Sequence, residues 1–417
     1  MRRLITYLSL SLGWLIFAPA NWTLVNNSLQ SVKSDSEQIA VAQQPVNPNP
    51  EQTLPLKPIN PDTEQVTLES LGIDEQLWDR PGQPGDKRAL LASIDNSLRY
   101  LRTSKAAQAY QEYPVSGITL NRVRRSLVRF RQLVVTSNSA TELQTAVNRE
   151  FVFYKSIGRN NQGSVLFTGY FEPIYVASRT PSAEYRYPLY RMPANLNQWT
   201  KPNLTRVQLE GEDGLGKNSP LQGLEFVWFR DRFEAFLVHI QGSAQLQLTD
   251  GTVMTVGFAG KTDLPYSSVG RALIDDGKFT AEQLTMPVLI NYFSQFPEEM
   301  NKYLQRNESF IFFQETNGAP AMGSIGVPVT AERSIATDKS LMPPGALALI
   351  KAPIPYPNAK GEQESQLVSR YVLDQDTGSA IKGPGRVDIF MGTGVVAGER
   401  AGIIKANGEL YYLLLKK

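Results

Sequence analysis

The chain has 417 residues, enough for two or three domains of ordinary size. It is 41% hydrophobic and 20% charged, which excludes wholesale disorder, and a net charge of +2 points to no polyanionic partner, nucleic acid included. With no cysteine and a single histidine, His239, it cannot hold disulfides, thiolate nucleophiles, iron–sulfur clusters or a two-histidine metal site. Carboxylates, hydroxyls, lysines and backbone groups are left to do the chemistry.

The start reads as an export signal. Arg2 and Arg3 precede an apolar run to Pro19, and Ala18-Pro19-Ala20 has the small-x-small form of a cleavage site, so residues 1–20 are the expected signal peptide. A second such site at Ala40-Val41-Ala42 extends the range of cleavage to residue 42, and a retained anchor is the alternative. The apolar run is short for a membrane span. Lipid attachment needs a cysteine, so a lipoprotein is not expected. Residues 43–65, rich in Pro, Asn and Gln, read as a tether, with folded sequence from about Val66.

Leu90, Leu91, Ile94, Leu98 and Leu101 recur at helical spacing, with Asp86 placed to favour the helix start. A second helix carries Leu120, Val123, Leu127, Phe130 and Val134 on one stripe, and a third runs from about Ser139 toward Phe151. The second helix also holds Arg122, Arg124, Arg125, Arg129 and Arg131, read as a solvated face rather than an anion site. Strand-like runs follow at 164–170, 187–190, 224–229, 235–240, 245–248 and 253–258, as in an antiparallel barrel. After a helical interlude at 267–304, strands resume at 310–313, 327–329, 346–350, 368–373, 387–391 and 410–415.

Several catalytic readings fail on their own terms. Asp376-Thr377-Gly378-Ser379 has the aspartic-protease loop sequence, but that chemistry needs two such loops, and none other occurs. His239 lies in the apolar run 235–240, where a core histidine is the default. In a strand it would sit roughly 13 Å from Ser243, too far for a hydrolase dyad. The C-terminal glycines, Gly378 to Gly398, lack the Gly-Lys-[Ser/Thr] element of a phosphate loop and suit close backbone approach instead. The remaining signal is a set of aspartates, Asp338, Asp374, Asp376 and Asp388, near strand ends. Asp388 differs by lying inside an apolar run, Arg386-Val387-Asp388-Ile389-Phe390-Met391. Desolvation there raises a carboxyl pKa and makes a general acid.

From about residue 163 onward the chain resembles the membrane-bound lytic murein transglycosylase A family. The matching segments include FTGYFEP at 167–173, YPLYRMP at 187–193, HIQGS at 239–243, YSSVG at 266–270 and NESFIFF at 307–313. RSIATDKS at 333–340, DTGSAIKG at 376–383, Asp388 and Gly392-Thr393-Gly394 complete the set. The last block resembles the family's module named for three aspartates, which fall here on Asp338, Asp376 and Asp388. The resemblance implies a mainly β fold with flanking helices: a double-psi β-barrel, residues 66–174 and 316–417, with a second β-barrel, 175–315, inserted and a glycan groove between them. It also implies a lytic transglycosylase that cleaves the MurNAc–GlcNAc bond of peptidoglycan and leaves a 1,6-anhydro end. Asp388 is then the catalytic residue, and Asp338 a supporting one. Thr168, Gly169, Tyr170, Gln241, Gly242, Ser243, Asp376, Lys382, Gly392 and Gly394 are the expected substrate-binding set. The expected partners are peptidoglycan strands and other cell-wall enzymes; a monomer of the periplasm or envelope, without cofactor or metal, completes the reading. The spacer between Asp376 and Asp388 departs from the family pattern, placing a difference in the loop near Pro384. A non-catalytic wall-binding protein and a polysaccharide hydrolase on the same barrel are the alternatives.

Overall fold

The structure, a computed structural model, describes residues 54–59, 71–80, 82–111, 113–358 and 360–416. The expected signal at 1–20, the later cleavage site at 40–42 and most of the tether lie outside the described residues. Part of that tether is not a tether. Strand β1 (Leu56–Pro58) pairs antiparallel with β2 (Phe151–Ser156), and Leu56 is fully buried. The edge of β2 supplies main-chain partners that the segment's own composition does not signal.

Four helices precede β2: α1 (Lys87–Tyr100), α2 (Ser104–Gln111), α3 (Leu120–Thr136) and α4 (Ala140–Glu150). Thr119 and Ser139 cap α3 and α4 by accepting from the amides of Arg122 and Glu142. The apolar stripes face the core, burying Leu90, Ile94, Val123, Leu127, Phe130 and Val147. Three α3 arginines are absorbed structurally. Arg129 pairs with Glu150 and Arg131 with Asp95, while Arg122 donates to the carbonyl of Leu415.

Next, β3 (Val165–Glu172) leads into a second set of strands: β4 (Ile174–Ser178), β5 (Tyr187–Tyr190), β6 (Glu225–Phe229), β7 (Ser243–Leu248), β8 (Val253–Lys261) and β9 (Ile311–Glu315). They form a six-stranded sheet in the order β5-β6-β4-β7-β8-β9, and an Arg191–Phe313 bridge ties its two ends. Helices α5 (Arg206–Glu210) and α6 (Arg232–Gln241) pack on it, and α7 (Val269–Asp275), α8 (Met286–Gln295) and α9 (Pro297–Leu304) pack on α6. The run 235–240, expected as a strand, is the body of α6. This helix is buried on two sides, Ala235 and Val238 against the sheet and Phe233, Phe236 and Leu237 against α7–α9, so it has no polar face to reveal a helical period.

The chain then returns to the first sheet through β10 (Ser334–Ala336), β11 (Leu347–Pro357), β12 (Gln363–Asp376), β13 (Arg386–Thr393), helix α10 (Val395–Ile403) and β14 (Lys405–Leu415). Because β14 pairs with both β11 and β3, the ring β14-β11-β12-β10-β13-β3 closes into a six-stranded barrel. The expected run at 327–329 is not a strand. Nor are the sheets purely antiparallel, since β4–β7, β10–β12 and β13–β3 are parallel pairs. Alternation of side chains does not encode strand direction.

A buried ion network ties the N-terminal segment to this barrel. Arg333, fully buried, meets Asp74 at 2.5 Å and also pairs with Asp86. Asp86 is shared with Arg370, which reaches Glu332, and Glu332 in turn holds Arg400. Arg333, Asp74 and Arg370 are almost wholly desolvated, so each needs its partners to stay buried at tolerable cost.

Candidate active site

Strand alternation places the site. On β13, Val387 and Ile389 are fully buried in the core, so Arg386, Asp388 and Phe390 face the opposite way. The neighbouring β3 runs parallel with Leu166 beside Arg386, Thr168 beside Asp388 and Tyr170 beside Phe390. Three rows of outward side chains result, with Asp388 in the middle one.

Thr168 Oγ1 donates to Asp388 Oδ1 at 2.7 Å. Protein surrounds the carboxyl on most sides, yet the residue keeps some exposed surface. Burial lifts its pKa from 3.8 to about 6; the Thr168 hydrogen bond and the Arg386 charge pull it down, and the Asp376 charge pushes it up. A carboxyl poised there exchanges a proton near neutrality.

Asp376 ends β12 on the other side of the short strand β10, whose Ala336 lies in register with both Asp376 and Asp388. Its oxygens are fully engaged. Oδ1 accepts from the amides of Ser324 and Thr377, each at 2.8 Å, and Oδ2 accepts from Tyr170 Oη at 2.8 Å. Burial raises its pKa, opposed by those three hydrogen bonds and by Lys339. Tyr170 stacks at a tilt on Phe390, with 5.2 Å between ring centroids. Burial and the Asp376 charge push its hydroxyl well above the usual tyrosine range, so it remains a donor.

The third aspartate, Asp338, accepts from the Ser340 amide and hydroxyl and from the Gly383 amide at 2.9 Å. Burial pushes its pKa up, but those bonds and the charge of Lys382 prevail and hold it below the usual range. Its work is to pin the 376–383 loop. Asp374 is separate again, buried with Thr337, Lys339 and Tyr412.

The HIQGS segment gathers elsewhere. Gln241 Oε1 accepts from the Phe171 amide at 3.0 Å, Gly242 closes α6, and Ser243 reaches Glu172. Glu172 is buried and also accepts from Thr393 Oγ1 at 3.0 Å and Gln245 Nε2 at 3.1 Å, so this cluster joins the two sheets. Its carboxyl pKa is raised by burial, against those hydrogen bonds. Gly392 and Gly394 flank Thr393 in the same turn, both with positive φ. Gly169 is a packing requirement, since a Cβ there would come 2.8 Å from the Cα of Ala401 on α10. His239 is a core residue, its Nδ1 accepting from the Ile311 amide and its ring against Phe310 and Phe313. Burial holds it neutral.

Two residues at the site carried no role in the sequence reading. Arg386 faces outward with Asp388, two positions away on one strand, a spacing that alternation does encode. Tyr266, from the second sheet's side, feels the charges of both Arg386 and Asp388. Lys261 at the end of β8 donates from Nζ to Ser379 Oγ at 3.2 Å, a contact between the second sheet and the 376–383 loop. Among the described residues, no group of three or more His, Asp or Glu side chains gathers as metal ligands.

Comparison with known proteins bears on this geometry directly. Residues 166–314 match the MltA specific insert domain and residues 333–414 match the 3D domain, the second span holding all three aspartates. The membrane-bound lytic murein transglycosylase A of Escherichia coli (strain K12) is 33% identical over 258 residues, 61% of this chain and 67% of the relative. The chain belongs to the membrane-bound lytic murein transglycosylase A family. The Vibrio cholerae family member is 32% identical, over 62% of this chain and 68% of its own. Among solved structures, the membrane-bound lytic murein transglycosylase of Agrobacterium tumefaciens superposes with a TM-score of 0.64 at 28% identity, covering 82% of this chain and 98% of that one. E. coli MltA with bound chitohexaose gives 0.63 at 25% identity, covering 88% and 96%. The mainly β architecture of a closed barrel joined to a second sheet is thus that of the transglycosylase family.

Proposed function

We propose that the protein is a peptidoglycan lytic transglycosylase in which Asp388 acts alone, first as acid and then as base. The observation that carries this reading is the contrast between its two outward carboxyls. Asp388 is poised near 6 with one hydrogen bond, whereas both oxygens of Asp376 are held, by three donors in all. A hydrolase of the two-carboxylate kind needs a second free group to attack or to activate water. A transglycosylase needs none, because the sugar's own C6 hydroxyl is the nucleophile and is already positioned.

The Asp388 carboxyl donates its proton to the oxygen between N-acetylmuramic acid and N-acetylglucosamine. The bond from that oxygen to C1 of the muramyl sugar breaks, and the charge that develops at C1 faces the new carboxylate. The C6 oxygen then bonds to C1, its proton passes to Asp388, and the 1,6-anhydro ring closes with the acid regenerated. Thr168 orients the carboxyl throughout, and Tyr170, held by Asp376, borders the reaction. No water is consumed.

The two barrels act as a catalytic domain, 66–174 with 316–417, and an inserted domain, 175–315, with the glycan lying between them. The E. coli relative with bound chitohexaose supports a glycan as the occupant. The basic, apolar start of the sequence supports an envelope location, close to the only wall substrate, and a monomer suffices for the chemistry. No helix among the described residues is long and apolar enough to cross a membrane. Digestion of purified sacculi with mass spectrometry of the muropeptides tests the reading. Anhydro-ended products, one water lighter than hydrolytic ones, are expected; reducing ends would mark a hydrolase, and no release would leave a wall-binding protein.

A further inference from the structure

We propose that Arg386 reads the lactyl group of muramic acid, and so sets the enzyme's preference for muramyl glycans over plain N-acetylglucosamine polymers. The inference rests on the transglycosylase reading and deepens it. Arg386 lies on the outward face of β13, two residues and so about 6.6 Å along the strand from Asp388. Its charge acts on both Asp388 and Tyr266, so all three belong to one electrostatic neighbourhood. Yet among the described residues no carboxylate pairs with it, and its Nε is buried without a hydrogen bond. By contrast, the buried arginines Arg206, Arg232, Arg333 and Arg370 each hold a carboxylate. An arginine left open beside a catalytic acid is costly unless a ligand completes it.

The ligand's chemistry follows from the distance. With the scissile oxygen at Asp388, a side chain two residues along the same face stands beside the bound sugars, where ring substituents project. Hydroxyls and acetamido groups occur on both sugars of the strand. The 3-O-lactyl group occurs only on muramic acid, and it ends in a carbonyl that continues into the peptide stem or, in a stripped strand, in a carboxylate. A planar fork of donors suits either oxygen, and a carboxylate can take it in bidentate fashion.

Binding is measured in an Asp388→Asn background, so that it does not depend on turnover, using glycan strands with stems, strands stripped of stems by an amidase, and chitohexaose. Adding Arg386→Gln is expected to weaken binding of both muramyl strands by roughly tenfold or more, in line with loss of a charged hydrogen bond, with the larger loss on stripped strands. Chitohexaose affinity is expected to stay within about twofold, and Arg386→Lys to restore part of the loss. In turnover with Asp388 intact, the loss of affinity appears in KM, while removal of the Arg386 charge also moves the Asp388 limb of the pH profile upward. Equal weakening on chitohexaose, or none on muramyl strands, overturns the inference while leaving the transglycosylase reading untouched. That reading fails separately, if the unmodified enzyme yields no anhydro product from sacculi.

Discussion

Replacing Asp388 by Asn should abolish turnover and at the same time make the protein more stable at neutral pH. The amide keeps the size of the carboxyl and still offers an oxygen to Thr168, but it cannot give up and recover a proton. The stability gain follows from the raised pKa. The folded state holds the Asp388 proton more tightly than the unfolded chain does, so stability falls as pH rises from about 4 and the full penalty is reached above about 6. A pKa of about 6 in place of 3.8 corresponds to about 3 kcal/mol at 1.36 kcal/mol per pH unit. Solvent at the partly open site reduces this, so a gain of about 1–3 kcal/mol is expected at pH 7.5. Urea unfolding of both proteins at pH 7.5 and pH 4 measures it, because at pH 4 the folded carboxyl is protonated and the unfolded one is near its midpoint, so the gain should shrink to about 0.5 kcal/mol. A variant no more stable at pH 7.5, or equally stabilised at both pH values, would refute the desolvated-acid argument. So would a residual rate above about a tenth of wild type, since acid–base catalysis contributes roughly 10²–10⁴-fold.

Other consequences can be checked alongside. The rate should fall about tenfold per pH unit well above pH 6, as Asp388 loses the proton it must donate; a flat profile from pH 6 to 8 would exclude it as the acid. Thr168→Val removes a donor that favours the carboxylate, so this limb should move to higher pH by less than about one unit, and a downward move would contradict the assignment. Arg333→Met leaves the buried Asp74 without its charged partner, while Asp86 keeps Arg370, and should cost about 3–5 kcal/mol in urea unfolding; a change under about 1 kcal/mol would mean that the network carries little. Gly169→Val should displace α10 from β3 and lower the thermal midpoint by several degrees, whereas an unchanged midpoint would show the contact to be yielding.

What the sequence revealed depended on whether burial left a pattern. Asp388 stood out because a lone carboxylate interrupts an apolar run, and the structure places it on the outward face of just such a strand. The stripe on α3 was plain because one side of that helix meets solvent. Helix α6 was misread for the opposite reason: with packing on two sides, its residues carry no contrast. Strand β1 could not be read locally, since what orders it is the edge of β2, nearly a hundred residues further along. The cluster around Glu172 was beyond reach in the same way, because its members come from β3, β7 and the end of β13. Arg386 could have been found, as alternation alone puts it on the face of Asp388.

Thr168 and Asp388, the pair at the heart of the site, are separated by 220 residues, with the whole second sheet encoded between them. A nascent chain that has made β3 and even the complete insert still has no acid, and β3 waits without either of its eventual neighbours, β13 and β14. The enzyme therefore cannot cut as a fragment, and activity becomes a report that both halves of the barrel have met. The same arrangement suggests how it would tolerate a break. A nick at the exposed turn around Asp250 and Gly251 would leave two pieces still zipped together along β3, each useless alone and competent in company.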